Sequence, residues 1–424
     1  MQFNKVKGVY IVAVIKPFVC IRPNEAVVSK VAALPYDVYN RTEAKREVEK
    51  EPLSFLSIDR AETAFSDDVD IYADCVYDKA KSLLEERKND GTFVSCKTAC
   101  YYLYELTMEG RTQTGIVAVS SIDDYINGII KKHENTREEK EIDRIRHVDT
   151  CHAQTGPIFL AYRKDKAIAD IVTAVKKGTP LYDFVSDDGI GHRIWEVKNE
   201  IDIHGIEYGF LQVDCTYIAD GHHRAASAVK VGIKRREEHK NYKGDEPFNY
   251  FLSVLFPEDE LMILPYNRVV KDLNGLSKDE FLEKISKVCK VEKIKTENIE
   301  NNSPAKKGNI TMLLEGEWYL LKFDDKKLNN PVDILDVSIL QNEILRPILG
   351  IKDPRTDNRI EFIGGIRGNA ELEHRVNKDM KVAFSMYPTS IEELLEVADA
   401  GLLMPPKSTW FEPKLRSGLF IHQI

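Results

Sequence analysis

A mixed α+β architecture with more than one domain is what this 424-residue sequence predicts. Short runs rich in β-branched and aromatic residues are interleaved with amphipathic stretches in no regular order, which is neither an all-β nor a helical-bundle pattern. No internal repeat or low-complexity segment is evident. The length suffices for two or three domains, each with its own core. Provisional limits for them are an N-terminal α/β region over 1–125, a core over 126–260 and a C-terminal α/β region over 261–424.

Element by element, Val9–Ile15 is β-branched and reads as a buried strand, and Pro17, Pro23 and Pro35 then impose extended, turn-rich chain. Asp37 is the expected cap for a helix over Thr42–Lys50, although it could also hold an amine. Asp70–Lys88 reads as a second helix, with Ile71, Val76, Ala80, Leu83 and Leu84 on one side. Ala99–Met108 and Gln113–Ser120 form paired strands around Glu109-Gly110. A short helix is expected over Asp123–Ile130, a charged one over Glu138–His147, a strand over Pro157–Tyr162 and a helix over Ala167–Lys177. Tyr250–Phe256 is a strand stopped by Pro257. Beyond Leu264, Lys278–Glu297 reads as a helix, Asn298–Lys307 as a loop and Asn309–Phe323 as a hairpin about Glu315-Gly316. Asp333–Leu345 and Ser390–Ala400 complete the helices.

The hydrophobic and charged fractions, 43% and 30%, are those of an ordinary soluble globular protein. A net charge of -9 argues against a general nucleic-acid surface, which would be basic. Seven scattered cysteines without a C-x-x-C pair argue against a disulfide framework and a zinc knuckle. The apolar run before Lys16-Pro17 is too short for a signal-peptide core, and nothing approaches the roughly 20 apolar residues of a membrane span. A cytoplasmic location without nucleic-acid or membrane partners is the expectation.

The richest stretch is Asp214–Val229, DCTYIADGHHRAASAV. Cys215–Ala219 has strand composition, Asp220-Gly221 breaks it, and a helix-forming run starts at His222. A helix start carries unpaired N–H groups and about half a positive charge. His222, His223 and Arg224 added there suit a phosphate. Asp220 repels one unless a cation lies between, which suggests a nucleotide with Mg²⁺ held by Asp220. The plainer alternative makes Asp220 an N-cap, Gly221 a turn residue and the histidines surface groups.

DGHHR followed by AASA resembles the phosphate-binding signature of the ParB/sulfiredoxin-like superfamily, and its form is similar to that of free serine kinases. The segments KPFVCIRP (Lys16–Pro23), ALPYDVYN (Ala33–Asn40), KHENT (Lys132–Thr136), LPYNRVV (Leu264–Val270) and MPPKSTWFEPKL (Met404–Leu415) resemble a widespread microbial family that carries this signature. The resemblance implies a ParB/sulfiredoxin-like nucleotide-binding core embedded in the larger chain. It implies phosphoryl transfer from ATP or ADP, with Mg²⁺, to the hydroxyl of free L-serine, giving O-phosphoserine. Gly221, His222, His223 and Arg224 would bind nucleotide phosphates, and Asp220 would serve catalysis and the metal. Glu134 of KHENT would accept the proton of the substrate hydroxyl, a role for which a carboxylate is chemically apt.

Other residues leave two readings open. Arg144 could contact nucleotide or form a helix-face ion pair. Arg268 could bind a substrate carboxylate through its planar fork or form a structural ion pair. Lys407 or Lys414 could reach a phosphate, while Trp410 and Phe411 back a ligand or pack a domain. A nucleotide-binding or hydrolysing switch, with the nucleotide clamping a homodimer, is the competing function. A sulfiredoxin-like repair enzyme falls away because His222 stands where its nucleophilic cysteine would be needed.

Overall fold

The structure is a computed structural model that describes residues 5–6, 9–10, 12–136, 138–295, 299–324 and 330–424. It is mixed α+β and forms two compact units. Unit 1 comprises Met1–Lys132, Thr136–Leu261 and Pro413–Ile424; unit 2 comprises His133–Asn135 and Met262–Glu412. No helix among the described residues is long and apolar enough to cross a membrane.

Unit 1 is built on a nine-stranded sheet. Its strands are β1 (Ile15–Lys16), β2 (Tyr101–Met108), β3 (Arg111–Ser121), β4 (Ile130–Lys131), β5 (Ile158–Tyr162), β6 (Tyr182–Val185), β7 (Gly191–Val197), β8 (Thr216–Asp220) and β9 (Tyr250–Pro257). The spatial order is β6-β7-β2-β3-β9-β5-β8-β4, with β1 paired to β3, so strands from both sides of residue 125 share it. The β5–β9 and β8–β4 pairs are parallel and the others antiparallel. Every residue of β5 and β9 is buried, which explains their continuous apolar runs. Four helices matter here: α1 (Glu138–Cys151), α2 (Lys166–Val175), α3 (Glu200–Phe210) and α4 (His222–Glu238). Ile168 of α2, Ile206 and Phe210 of α3, and Ala225, Ala228 and Val229 of α4 share one core with Leu160, Ile218 and Phe251 of the sheet.

The chain's last segment returns to this unit. Ile421–Gln423 pairs between Cys20–Pro23 and Ala153–Gln154 in a four-stranded sheet that Phe93–Ser95 completes. Gly418 makes the return tight: its φ is +82°, and a Cβ there would collide with the Phe55 ring.

Unit 2 holds an antiparallel six-stranded sheet in the order Lys290–Lys293, Glu317–Lys322, Asn309–Leu314, Val382–Ser385, Tyr266–Val270, Ile360–Gly364. The helix Gly368–Lys378 packs Leu372 on Val269, Leu313 and Ala383. The hairpin turns at Glu315-Gly316 as expected, both at positive φ.

Several local expectations are corrected. Val9–Ile15 is not one strand: Val9–Tyr10 and β1 are separate, and Ile11 lies outside the described residues. The N–H groups between them go elsewhere, Ala13 to the Val213 carbonyl (2.8 Å) and Val14 to Asp124 (2.6 Å). The helix over Arg41–Lys50 is capped by Asn40 in a reciprocal box with Glu43, not by Asp37. The second helix begins at Asp74 rather than Asp70. Asp123–Ile130 splits into a helix over Ile122–Ile126 and strand β4. The helix from Lys278 stops at Ser286, and Lys290–Lys293 pairs as a strand instead. Asp333–Leu345 begins helical only at Asp336, whose carboxylate accepts the Gly308 N–H, and it changes to a π-helical turn over Gln341–Leu345.

His192 of β7 makes the sheet sensitive to acid. Its ring stacks between Tyr104 and Phe184, and its nitrogens contact the Tyr104 hydroxyl (2.8 Å) and Ser186 Oγ (2.9 Å). Burial, aided by Arg416, pushes its pKa down to about 3. The unfolded chain therefore takes up this proton below about pH 6.5 while the native state refuses it, so stability falls as pH drops. Asp124, pushed up to about 7 by burial, works with the opposite sign. In denaturant titrations, His192→Gln should lower stability at pH 7.5 yet lose about 2 kcal/mol less than wild type on going to pH 5. Parallel losses would show that His192 is not the neutral group.

Candidate functional site

The residues of DGHHR meet at the end of β8. Leu160 opposes Ile218, but Phe159 opposes Asp220, so the register slips and Ala219 goes unmatched. Such an irregularity re-aims the side chain beyond it. Gly221 follows at φ 92°, ψ 31° and begins α4 as its N-cap. A Cβ there would sit 3.0 Å from Arg224 Nη2 and 3.1 Å from Nε, so the positive φ favours glycine and a side chain would crowd the Arg224 guanidinium. Glycine also brings no side chain to cover the first N–H groups of the helix.

Charges converge on this turn. Asp220 Oδ1 accepts the Gly221 N–H at 2.9 Å, and Lys414 Nζ donates to Asp220 Oδ2 at 3.3 Å. Arg224 Nη2 lies 3.8 Å from the same oxygen, while its Nη1 donates to the Pro157 carbonyl at 2.6 Å. The Asp220 side chain is 35% exposed, so the turn meets solvent. His222 is buried and His223 half-buried at the helix start. Of the two lysines weighed from sequence, Lys414 reaches the turn because Pro413–Ile424 folds into unit 1.

Behind Arg224 lies a cavity of about 30 Å³, enough for roughly one water, lined by Tyr36, Asp59, Arg144, His147 and Thr155 among others. Arg144 is buried, pairs with Asp143 (Nε to Oδ2, 2.9 Å) and stacks 4.0 Å from the Tyr36 ring centre. Thr155 Oγ1 donates to Asp59 at 2.9 Å, and His147 Nε2 stands 4.0 Å from Asp59 and 3.2 Å from the Ile58 carbonyl. Burial opposes the Arg144 charge, but Asp143, Tyr36 and Asp59 outweigh it and hold the guanidinium charged. Burial, then Arg144, push the His147 pKa down, so its ring is neutral. Asp59, His147 and Thr155 escaped the sequence reading: they stand apart along the chain in no motif, and only the fold collects them.

Glu134, Arg268 and Lys407 belong to unit 2. The His133 carbonyl accepts the Met404 N–H at 2.8 Å, tying KHENT to the Pro405-Pro406 loop. Arg268 is 3% exposed and donates to the carbonyls of Tyr266 and, at 3.0 Å, Lys407. Desolvation lowers its pKa to about 10. Lys407 has φ +57°, and its Nζ lies 5.6 Å from the Tyr266 ring centre.

A family model described as a protein of unknown function (DUF1015) matches residues 15–338, so the chain belongs to that family. No curated protein matches. Among solved structures, a free serine kinase in complex with AMP is similar at 13% identity and TM-score 0.35, covering 71% of this chain and 91% of its own. A conserved hypothetical protein from Pyrococcus furiosus is similar at 14% identity and TM-score 0.35, covering 72% and 94%. A C-terminally truncated SbnI from Staphylococcus aureus is similar at 12% identity and TM-score 0.37, covering 71% and 85%.

The turn geometry yields a direct check. Gly221→Ala places a side chain at positive φ against the Arg224 guanidinium and should cost about 1–2 kcal/mol of unit 1 stability in chemical denaturation. An unchanged midpoint would mean the turn relaxes freely and is not held in this conformation.

Proposed function

We propose that the protein is a small-molecule kinase whose Asp220–Arg224 turn binds nucleotide phosphates, with ATP or ADP as donor and free L-serine as acceptor. The observation that carries this reading is a glycine-opened helix start on which Arg224 and Lys414 converge beside one partly exposed carboxylate, Asp220. Phosphoryl transfer asks chiefly for positioning and charge neutralisation, and this set supplies both. The first-turn N–H groups and Arg224 would hold phosphate oxygens, His222 and His223 would flank them, and Lys414 would exchange Asp220 for the ligand. Mg²⁺ needs only one or two carboxylates alongside phosphate oxygens. Asp220 fits that role, and the ion would offset phosphate charge. Serine as acceptor rests on the DGHHR form of the turn alone.

Incubation of the full chain with ATP or ADP, Mg²⁺ and a panel of free amino acids, followed by mass spectrometry, tests the reading. O-phosphoserine is the expected product. Nucleotide binding without any transfer to a small molecule would favour the switch function instead. In calorimetry, Arg224→Ala should weaken nucleotide binding by about 1.5–3 kcal/mol; an unchanged affinity would remove this turn from the binding site.

We further propose Glu134 as the proton acceptor from the substrate hydroxyl. Glu134→Gln should slow turnover about 10²–10⁴-fold while nucleotide affinity holds. A wild-type rate would refute the assignment.

A further inference from the structure

Within unit 2, a cavity of about 430 Å³ is lined by Glu134, Ser338, Gln341, Arg346, Lys352 and Pro405, among others. That volume is in the range of small-molecule sites. Two sequence motifs meet at it, KHENT through Glu134 and MPPKST through the proline pair, although neither predicts the residues between 338 and 352. Those come from the irregular segment after Asp336, where the backbone widens into the π-helical turn Gln341–Leu345. Such turns are rare and recur at functional sites.

Three features of the lining point to a ligand. Ser338 is 3% exposed, and its buried Oγ has no hydrogen-bond partner among the described residues. Leaving a buried hydroxyl unsatisfied is costly, and a polar guest would remove that cost. Arg346 and Lys352 are exposed cations with no ion pair among the described residues. Arg355, by contrast, is engaged by Asp353 at 2.7 Å. Gln341 is anchored by its amide to the Ile351 carbonyl at 2.8 Å, which fixes the turn carrying these groups.

We propose that this cavity binds a small carboxylic acid bearing a hydrogen-bond donor at its α-carbon, an α-hydroxy or an α-amino acid. The carboxylate is taken by Arg346 and Lys352, an arginine–carboxylate pair being a strong charge-assisted contact. Ser338 Oγ supplies a further hydrogen bond, and the Glu134 carboxylate accepts from the hydroxyl or ammonium. Glu134 and Asp353 beside the cations disfavour a polyanion such as a nucleotide triphosphate, so the site calls for one negative group with a donor next to it. Binding here requires no nucleotide, and the site shares Glu134 with the proposed phosphotransferase, so an amino-acid ligand here would be that reading's acceptor.

Calorimetric titration of the full chain without nucleotide, using L-lactate, L-glutamine and their methyl esters, tests the site. Saturable binding of either acid, with the matching ester at least about tenfold weaker, is expected; which acid binds identifies the donor. Arg346→Gln and Lys352→Gln should each weaken binding about tenfold with an unchanged melting temperature, and Ser338→Ala should weaken it without loss of stability. No binding of either acid overturns the proposal, as does affinity that survives Arg346→Gln and Lys352→Gln. Nucleotide affinity measured on the same wild-type sample separates this failure from failure of the phosphate turn.

Discussion

The candidate phosphate site hangs on one backbone constraint, the left-handed Gly221 between the end of β8 and the start of α4. A slipped register leaves Ala219 unmatched and re-aims Asp220 just before it, and the helix begins just after it. The two events together turn a strand end into a cup of N–H groups with a carboxylate at its lip. Neither a longer strand nor an earlier helix would do this. Any side chain at 221 would also press on the Arg224 guanidinium, which is why the glycine governs charge placement as well as chain direction.

That charge placement depends on polar groups far away in sequence. Buried charges are expensive unless paired and hydrogen-bonded. Arg144 meets this with Asp143 and Tyr36, and Asp59 meets it with Thr155. The C-terminal segment closes the arrangement: Ser417 and Ala33 exchange backbone hydrogen bonds (2.8 and 3.2 Å), and the Gly418 N–H reaches the Thr155 carbonyl at 3.1 Å. The same return delivers Lys414 to Asp220. A rigid polar layer behind a turn lets the turn keep its cations oriented before any ligand arrives, which is the main advantage of a preorganised anion site.

Much of this was legible in the sequence where physics is local. The break at Asp220-Gly221, the helix from His222, the Glu315-Gly316 hairpin and the buried strand Tyr250–Pro257 all follow from short-range composition and turn chemistry. What was not legible is non-local. Nothing in Val9–Ile15 reveals that Asp124 and Val213 will claim its N–H groups, and nothing in Lys290–Lys293 reveals that Glu317–Lys322 will recruit it as a strand. Asp59, His147 and Thr155 are ordinary residues until tertiary structure assembles them. MPPKSTWFEPKL reads as a single loop, yet the chain changes unit between Glu412 and Pro413, a division that no local pattern marks.

Strain in unit 2 gives that loop a positioning role. A non-glycine residue at positive φ, as at Lys407, costs about 1–2 kcal/mol and persists only where its surroundings determine it. Here the surroundings are explicit. Arg268, withdrawn from water, gives one arm of its guanidinium to the Lys407 carbonyl; Ser408 Oγ turns back to the Pro405 carbonyl at 2.6 Å, and Thr389 holds the Ser408 carbonyl at 3.0 Å. The stiffened loop presents the Met404 N–H to His133 and so fixes the backbone beside Glu134. A buried arginine spent on carbonyls is a poor way to gain stability, given its desolvation, but an effective way to hold a short polar segment in one conformation. Arg268 therefore acts in this structure through the loop it fixes, whose preceding residues Met404, Pro405 and Pro406 line the unit 2 cavity.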